Sequence, residues 1–170
     1  MKIKIIKMLQ INYFKLIILF AFLIGCSIHK SEHDRLIKII KLESTFKNKS
    51  IIRSRGQNYI LYNFYDYNKI NKYTYDIDTD QLLAIGDSTQ VFSNIKKDLK
   101  NLLTTMDSFE IRDVSSEFKE NGIDLKFYLK SGESLLYVPD IKVVSNPNWK
   151  IYLTNLKKVN PNWYLDNNVK

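Results

Sequence analysis

Apolar residues follow three rhythms along this chain, and each predicts a different kind of element. Leu16–Ile24 (LIILFAFLI) is an unbroken apolar run. Between Ser31 and Lys47, Leu36, Ile39, Ile40 and Phe46 fall roughly on one side of a helix. Ser31, with Asp34 three places on, resembles the start of a capping box. From Tyr59 to Ile85 the period drops to two. Tyr59–Tyr65 and Lys72–Ile77 alternate and are rich in aromatics, as half-buried strands are. Ile60, Tyr62 and Phe64 share one face, and Tyr73, Tyr75 and Ile77 share another. Asn68–Asn71 reads as the connecting turn and Asp78–Gln81 as a second, leading into a short strand Leu82–Ile85. The segment is therefore a predicted β-meander. Lys49–Asn58, just before it, reads as a basic loop or short strand with a turn at Arg53, Arg55 and Gly56.

The helical rhythm returns over Asp87–Met106. Val91, Phe92, Ile95, Leu99, Leu102, Leu103 and Met106 form a broad apolar stripe, and Asp87 with Gln90 can cap the start. Lys96, Lys97, Asp98 and Lys100 lie off the stripe and read as solvated. A second β region follows. Phe109–Val114 predicts a strand, and Ile123–Leu129 and Ser134–Val138 flank a hairpin turn at Lys130–Glu133. Pro139 ends the second of these or marks an edge. Two near-copies come last, VSNPNW at 144–149 and VNPNW at 159–163, each read as an Asn-Pro-Asn turn launching a Trp-led strand. Strand runs joined by hairpins, with helices between them, imply an α+β fold: an antiparallel sheet of meander and hairpins packed against two helices on one face.

The apolar run near the start carries a further meaning. Lys2, Lys4, Lys7 and Lys15 precede or flank it, no acidic residue does, and Gly25–Cys26 closes it. A basic start, a short apolar core and a small-residue boundary mark an export signal. The run is short for a spanning helix, which needs roughly 20 apolar residues. Leu23-Ile24-Gly25-Cys26 resembles the lipobox of bacterial lipoproteins. That resemblance covers residues 1–26 alone. It implies a signal peptide over 1–25, acyl chains on Cys26 as the first mature residue, a short tether over 26–30, and one α+β domain over 31–170. Ser27 stands where the family's inner-membrane retention signal has Asp. The resemblance thus favours the outer membrane in a cell with two membranes.

This leader changes how composition is read. The formal charge is +8, but four lysines and no carboxylate precede Cys26, which leaves 22 cations against 18 carboxylates, about +4. The cations are scattered without a basic stripe, so nucleic acid is not an expected partner. Cys26 is the one cysteine, so no disulfide can form within the chain.

Catalytic chemistry is thinly represented. His29 and His33 both sit in or beside the tether, and the domain has no other histidine and no free thiol. It therefore cannot build a Ser-His-Asp or Cys-His nucleophile or a His/Cys zinc site. Gly86, Gly122 and Gly132 form no phosphate loop. Asp76, Asp78 and Asp80 have the spacing of an EF-hand loop start, with Asp87 at its twelfth place. Gln81, however, stands where that loop needs Gly, and Asp87 replaces Glu. A β-turn with solvent-facing acids explains the same letters. Carboxylate pairs for glycoside hydrolysis are available without any distinguishing pattern.

The remaining candidates are aromatic. Tyr59, Tyr65, Tyr67, Trp149 and Trp163 can stack on sugar rings or anchor a protein partner, or can simply pack the core. Those on the face opposite Ile60, Tyr62 and Phe64 are the better candidates for exposure. The expectation is a lipid-anchored, non-catalytic binding module of the cell envelope, without cofactor, for example an inhibitor or immunity-type protein with an envelope protein partner. A glycan- or envelope-polymer-binding module is the alternative, and a carboxylate hydrolase a third.

Overall fold

The computed structural model describes residues 32–54, 56, 58–66, 69–86 and 92–167. The leader, Cys26, His29, Ser31, Tyr67 and Asp87 lie outside the described residues. The chain divides into two units, residues 1–39 and 40–170. In the first, residues 32–39 are helical, as the first helical rhythm predicts, and this helix, α1, ends at residue 40. A turn at Lys41–Leu42 separates it from α2 (Glu43–Phe46), so the predicted single helix to Lys47 is broken.

The second unit is built on nine strands: β1 (Lys49–Arg53), β2 (Tyr59–Asp66), β3 (Lys69–Asp76), β4 (Gln81–Ile85), β5 (Ile111–Ser115), β6 (Leu125–Leu129), β7 (Ser134–Tyr137), β8 (Lys157–Asn160) and β9 (Trp163–Asp166). They form one sheet in the order β4-β3-β2-β1-β5-β6-β7-β9-β8. Every neighbouring pair is antiparallel. With α3 (Phe92–Ser108) and α4 (Pro147–Thr154), the fold is α+β.

Several predicted boundaries shift. The turn expected at Asn68–Asn71 does not extend over Lys69–Asn71, which are paired in β3, with Lys69 opposite Asp66. Tyr62 pairs with Tyr73 and Ile60 with Tyr75, so the two aromatic sets share one face of the sheet rather than two. Phe109 and Glu110 form a turn ahead of β5, with Glu110 at φ 55°.

The faces follow from the register. Tyr62, Ile51, Val114, Phe127, Leu135 and Leu165 form one continuous cross-strand row, buried throughout. Helix α3 covers this face over β2 and β3, burying Leu99, Leu102 and Met106 from its stripe. Phe46 of α2 meets Phe127 edge-on at 5.6 Å, and Trp163 stacks on Phe127 at 5.7 Å with the rings nearly parallel.

Helix α4 lies on the opposite face. Its Leu153 packs with Leu136 and Tyr164, which alternate with Leu135 and Leu165 and so point the other way. The helices therefore do not share one face. Strands β7 and β9 are covered on both sides, and their residues are buried consecutively: Ser134 to Leu136, and Trp163 to Leu165. Strands β2 to β4 are covered on one side, and their burial alternates.

The two Asn-Pro-Asn copies diverge. Asn160-Pro161-Asn162 turns β8 into β9, as predicted. Asn146 instead caps α4, accepting the backbone N–H groups of Asn148 and Trp149, with Pro147 in the first turn. Trp149 therefore begins a helix and not a strand.

Candidate functional site

The outer face of β2–β4 gathers four of the seven large hydrophobics that are exposed among the described residues. Its cross-strand rows are Tyr59–Asp76–Gln81, Leu61–Thr74–Leu83, Asn63–Lys72–Ile85 and Tyr65–Ile70. Leu61 is 39 % exposed, Ile70 47 %, Leu83 59 % and Ile85 45 %. Single exposed aliphatics are ordinary; a group on adjacent strands of one face is a candidate interaction surface. Tyr59 and Tyr65 border the group and are half-buried. The Tyr65 hydroxyl lies 3.4 Å from Ser50 Oγ, within hydrogen-bonding distance. Burial pushes the Tyr65 hydroxyl above the ordinary tyrosine value, and the nearby Glu117 carboxylate adds to this.

On the covered side, a cleft of about 220 Å³ opens between α3 and the sheet, lined by Tyr62, Phe64, Tyr73, Asn94, Ile95 and Asp98. The Tyr62 and Tyr73 rings lie 6.2 Å apart. Tyr62 Oη donates to Asp98 Oδ2 at 3.2 Å. Burial, reinforced by the Asp98 charge, drives the Tyr62 hydroxyl well above the ordinary tyrosine range. Aromatic walls with an amide and a carboxylate at the rim suit a small polar ligand.

The acidic turn after β3 distributes its carboxylates. Asp76 Oδ1 accepts the backbone N–H groups of Asp78 at 2.9 Å and Thr79 at 3.0 Å. Asp78 Oδ2 accepts from Asn58 Nδ2 at 2.6 Å. Asp80, in the left-handed region at φ 54°, faces α3. There it accepts from Tyr75 Oη at 2.8 Å and from Lys100 Nζ at 2.8 Å, with Lys96 Nζ at 3.1 Å. The Lys100 hydrogen bond, then those of Tyr75 and Lys96, hold the Asp80 carboxyl far below its usual range. Among the described residues, no group of three His, Cys, Asp or Glu is placed to hold a metal ion.

The predicted aromatic candidates are not brought together. Trp163 is buried at 2 % exposure in the stack with Phe127 and presents no ring to a ligand. Trp149 is half-buried on the other face, packed between Phe118 at 6.0 Å and Tyr152 at 5.4 Å. Tyr59 and Tyr65 do lie on the more open face of β2, as the alternation predicts. Lys97, Asp98 and Lys100 are exposed, as their position off the stripe predicts, and Lys96 is half-buried; Lys96 and Lys100 nevertheless engage Asp80, and Asp98 engages Tyr62.

Leu61, Leu83 and Ile85 were not singled out by the sequence, although they stand at the odd positions of the same alternation. His33 is exposed in α1. No helix among the described residues is long and apolar enough to cross a membrane. No family model, curated protein or solved structure matches this chain.

Proposed function

We propose that this protein is a bacterial lipoprotein, anchored through acyl chains on Cys26, whose α+β domain acts as a non-catalytic binding module in the cell envelope, of the inhibitor or immunity type. The observation that carries the reading is the open face of β2–β4, where Leu61, Ile70, Leu83 and Ile85 stay exposed while the same strands bury their other side. Such a surface is costly in water unless something docks on it. A protein partner is the chemistry that fits an apolar patch bordered by tyrosines.

The test is photo-crosslinking in the source cell with the full chain in its membrane. One dominant protein, lost in the Leu61→Glu/Leu83→Glu variant, is the expected result. Unchanged capture by the variant overturns the assignment of the surface. Labelling with a palmitate analogue tests the anchor: the wild type takes the label and Cys26→Ala does not.

A second reading rests on the cleft of Tyr62, Phe64 and Tyr73, whose aromatic walls suit a sugar ring. Envelope polysaccharide fragments that shift the resonances of Asn94 and Asp98, and fail to do so in Asp98→Ala, support it.

A further inference from the structure

We propose that the cleft between α3 and the sheet binds a small organic cation, a protonated amine carried on a compact, ring-sized body. This goes beyond the protein-binding reading. It also sharpens the second one, since a sugar in this cleft would then be an amino sugar.

The cleft has a floor, sides and a rim. Tyr62 and Tyr73, buried in β2 and β3, form the floor. Phe64 and Ile95 are half-buried and stand at the sides, and Asn94 and Asp98 are exposed at the rim. The volume, about 220 Å³, suits one ring rather than a chain. The rings and Ile95 offer apolar surface to the body of a ligand, and the rim offers an amide and a carboxylate to its head.

The rim is set by helical spacing. Asn94 and Asp98 are four residues apart on α3, so their side chains are neighbours on one side of the helix. Asp98 Oδ2 accepts from Tyr62 Oη at 3.2 Å, which leaves Oδ1 and the whole of the charge. Among the described residues, no lysine or arginine pairs with this carboxylate. Asn94 places an amide oxygen beside it. An ammonium set between the two can donate to both, and its bond to Asp98 is charge-assisted.

Charge selects the ligand. Among the described residues, Asp98 is the one ionised group that lines the cleft. The nearby cations are turned elsewhere. Lys96 and Lys100 meet Asp80, at the end of α3's flank towards β4. Lys49, opposite Phe64 in β1, donates to the Thr45 carbonyl at 2.8 Å. Lys97 is exposed and outside the lining. An anion would face Asp98 with no cation to meet it, and a neutral ligand would forgo the charge-assisted bond. One carboxylate and one amide are too few oxygens for a metal ion. Among the described residues, no group of three His, Cys, Asp or Glu is placed to supply more.

The experiment titrates the full-length chain, in micelles of a non-ionic detergent without sugar head groups, and follows the Asn94 and Asp98 resonances by NMR. The probes are two amines, cyclohexylamine and glucosamine, and their neutral counterparts, cyclohexanol and glucose. The pH is mildly acidic, where amines are protonated and carboxylates remain ionised. An amine should shift both resonances and bind about threefold or more tighter than its neutral counterpart. High salt should narrow that difference. Asp98→Asn keeps an oxygen for Tyr62 and removes the charge, and should bring amine and counterpart to equal affinity. The proposal is overturned if neither amine shifts the resonances, or if the counterparts bind the wild type as well as the amines do. That comparison needs no variant, so it holds even where Asp98→Asn fails to fold. Equal binding of glucose and glucosamine overturns the amine and leaves the sugar reading intact. Selective binding of cyclohexylamine, with none of glucosamine, supports the amine and overturns the sugar.

Discussion

Asp113 Oδ1 accepts the backbone N–H of Arg53 at 2.9 Å, so a side chain supplies a rung where the ladder between β1 and β5 is interrupted. On its other side, β5 carries a bulge against β6 between Ile111 and Asp113. Arg53 Nε donates to the Arg112 carbonyl at 3.2 Å, and Arg112 Nε donates back to Asp113 Oδ2 at 2.7 Å. At the other end, Ser116 N–H donates to the buried Ser50 Oγ at 2.9 Å. These bonds join β1–β4 to β5–β9 along a seam whose register is otherwise marked by Ile51 opposite Val114.

Asp113→Ala should therefore lower stability by roughly 1–3 kcal/mol, because it strips a part-buried N–H of its acceptor. Asp113→Asn keeps a carbonyl oxygen in place and should lose less. Urea midpoints of the two variants decide; equal small losses would mean the seam does not depend on this bond.

Asp80 makes stability depend on pH in the acid range. Its folded carboxyl titrates below the unfolded one, so its contribution is present above about pH 4 and fades as pH falls further. Thermal melts of wild type and Asp80→Asn should differ by a constant amount near neutrality and converge in acid. Lys100, raised by its hydrogen bond to Asp80, contributes in the opposite window: fully below about pH 10, and less as pH rises beyond it. Salt should shrink the gap, since the pair is exposed.

Tyr62 governs the alkaline limb. Burial first, and Asp98 next, keep its hydroxyl protonated well beyond the unfolded value. Its contribution is complete below about pH 10 and is lost as pH rises above that point. The Tyr62→Phe variant has no proton to lose there and should lose less stability than wild type between pH 10 and 12. At neutral pH it should cost about 1 kcal/mol for the missing bond to Asp98.

The tryptophans should separate by accessibility. Trp163 is enclosed by Phe127 and Tyr137, the latter at 5.1 Å, so Trp163→Ala should cost about 3–5 kcal/mol. Trp149→Ala, at a half-buried site, should cost less. In acrylamide quenching, a protein retaining only Trp163 should be shielded and one retaining only Trp149 should be quenched. The reverse order would contradict the packing.

Much of this was legible along the chain. The period of two over Tyr59–Ile85, the helical stripe of α3 and the Lys130–Glu133 turn are local signals, because strand alternation and helix faces depend on spacing within one segment. The Asn-Pro-Asn-Trp repeat shows where local signals stop. Both asparagines accept the N–H two residues on, at 2.9 Å in Asn146 and 3.5 Å in Asn160. One copy continues into a helix lying across the sheet. The other finds Trp163 a place opposite Tyr137 and continues as a strand.

The candidate surface is a product of the same division. Alternation marks Leu61 and Leu83 as members of a strand's second face, yet cannot say whether that face is covered. The α3 and α4 helices lie on opposite faces, and α4 covers the second face over β7 and β9 rather than over β2–β4. Strand order makes β4 an edge, and it depends on pairings between segments far apart in the chain. Element type is thus written in spacing a few residues long. The exposed face and the place of β4 at the end of the strand order arise from long-range packing, where burial and backbone bonding are shared among residues that no local pattern connects.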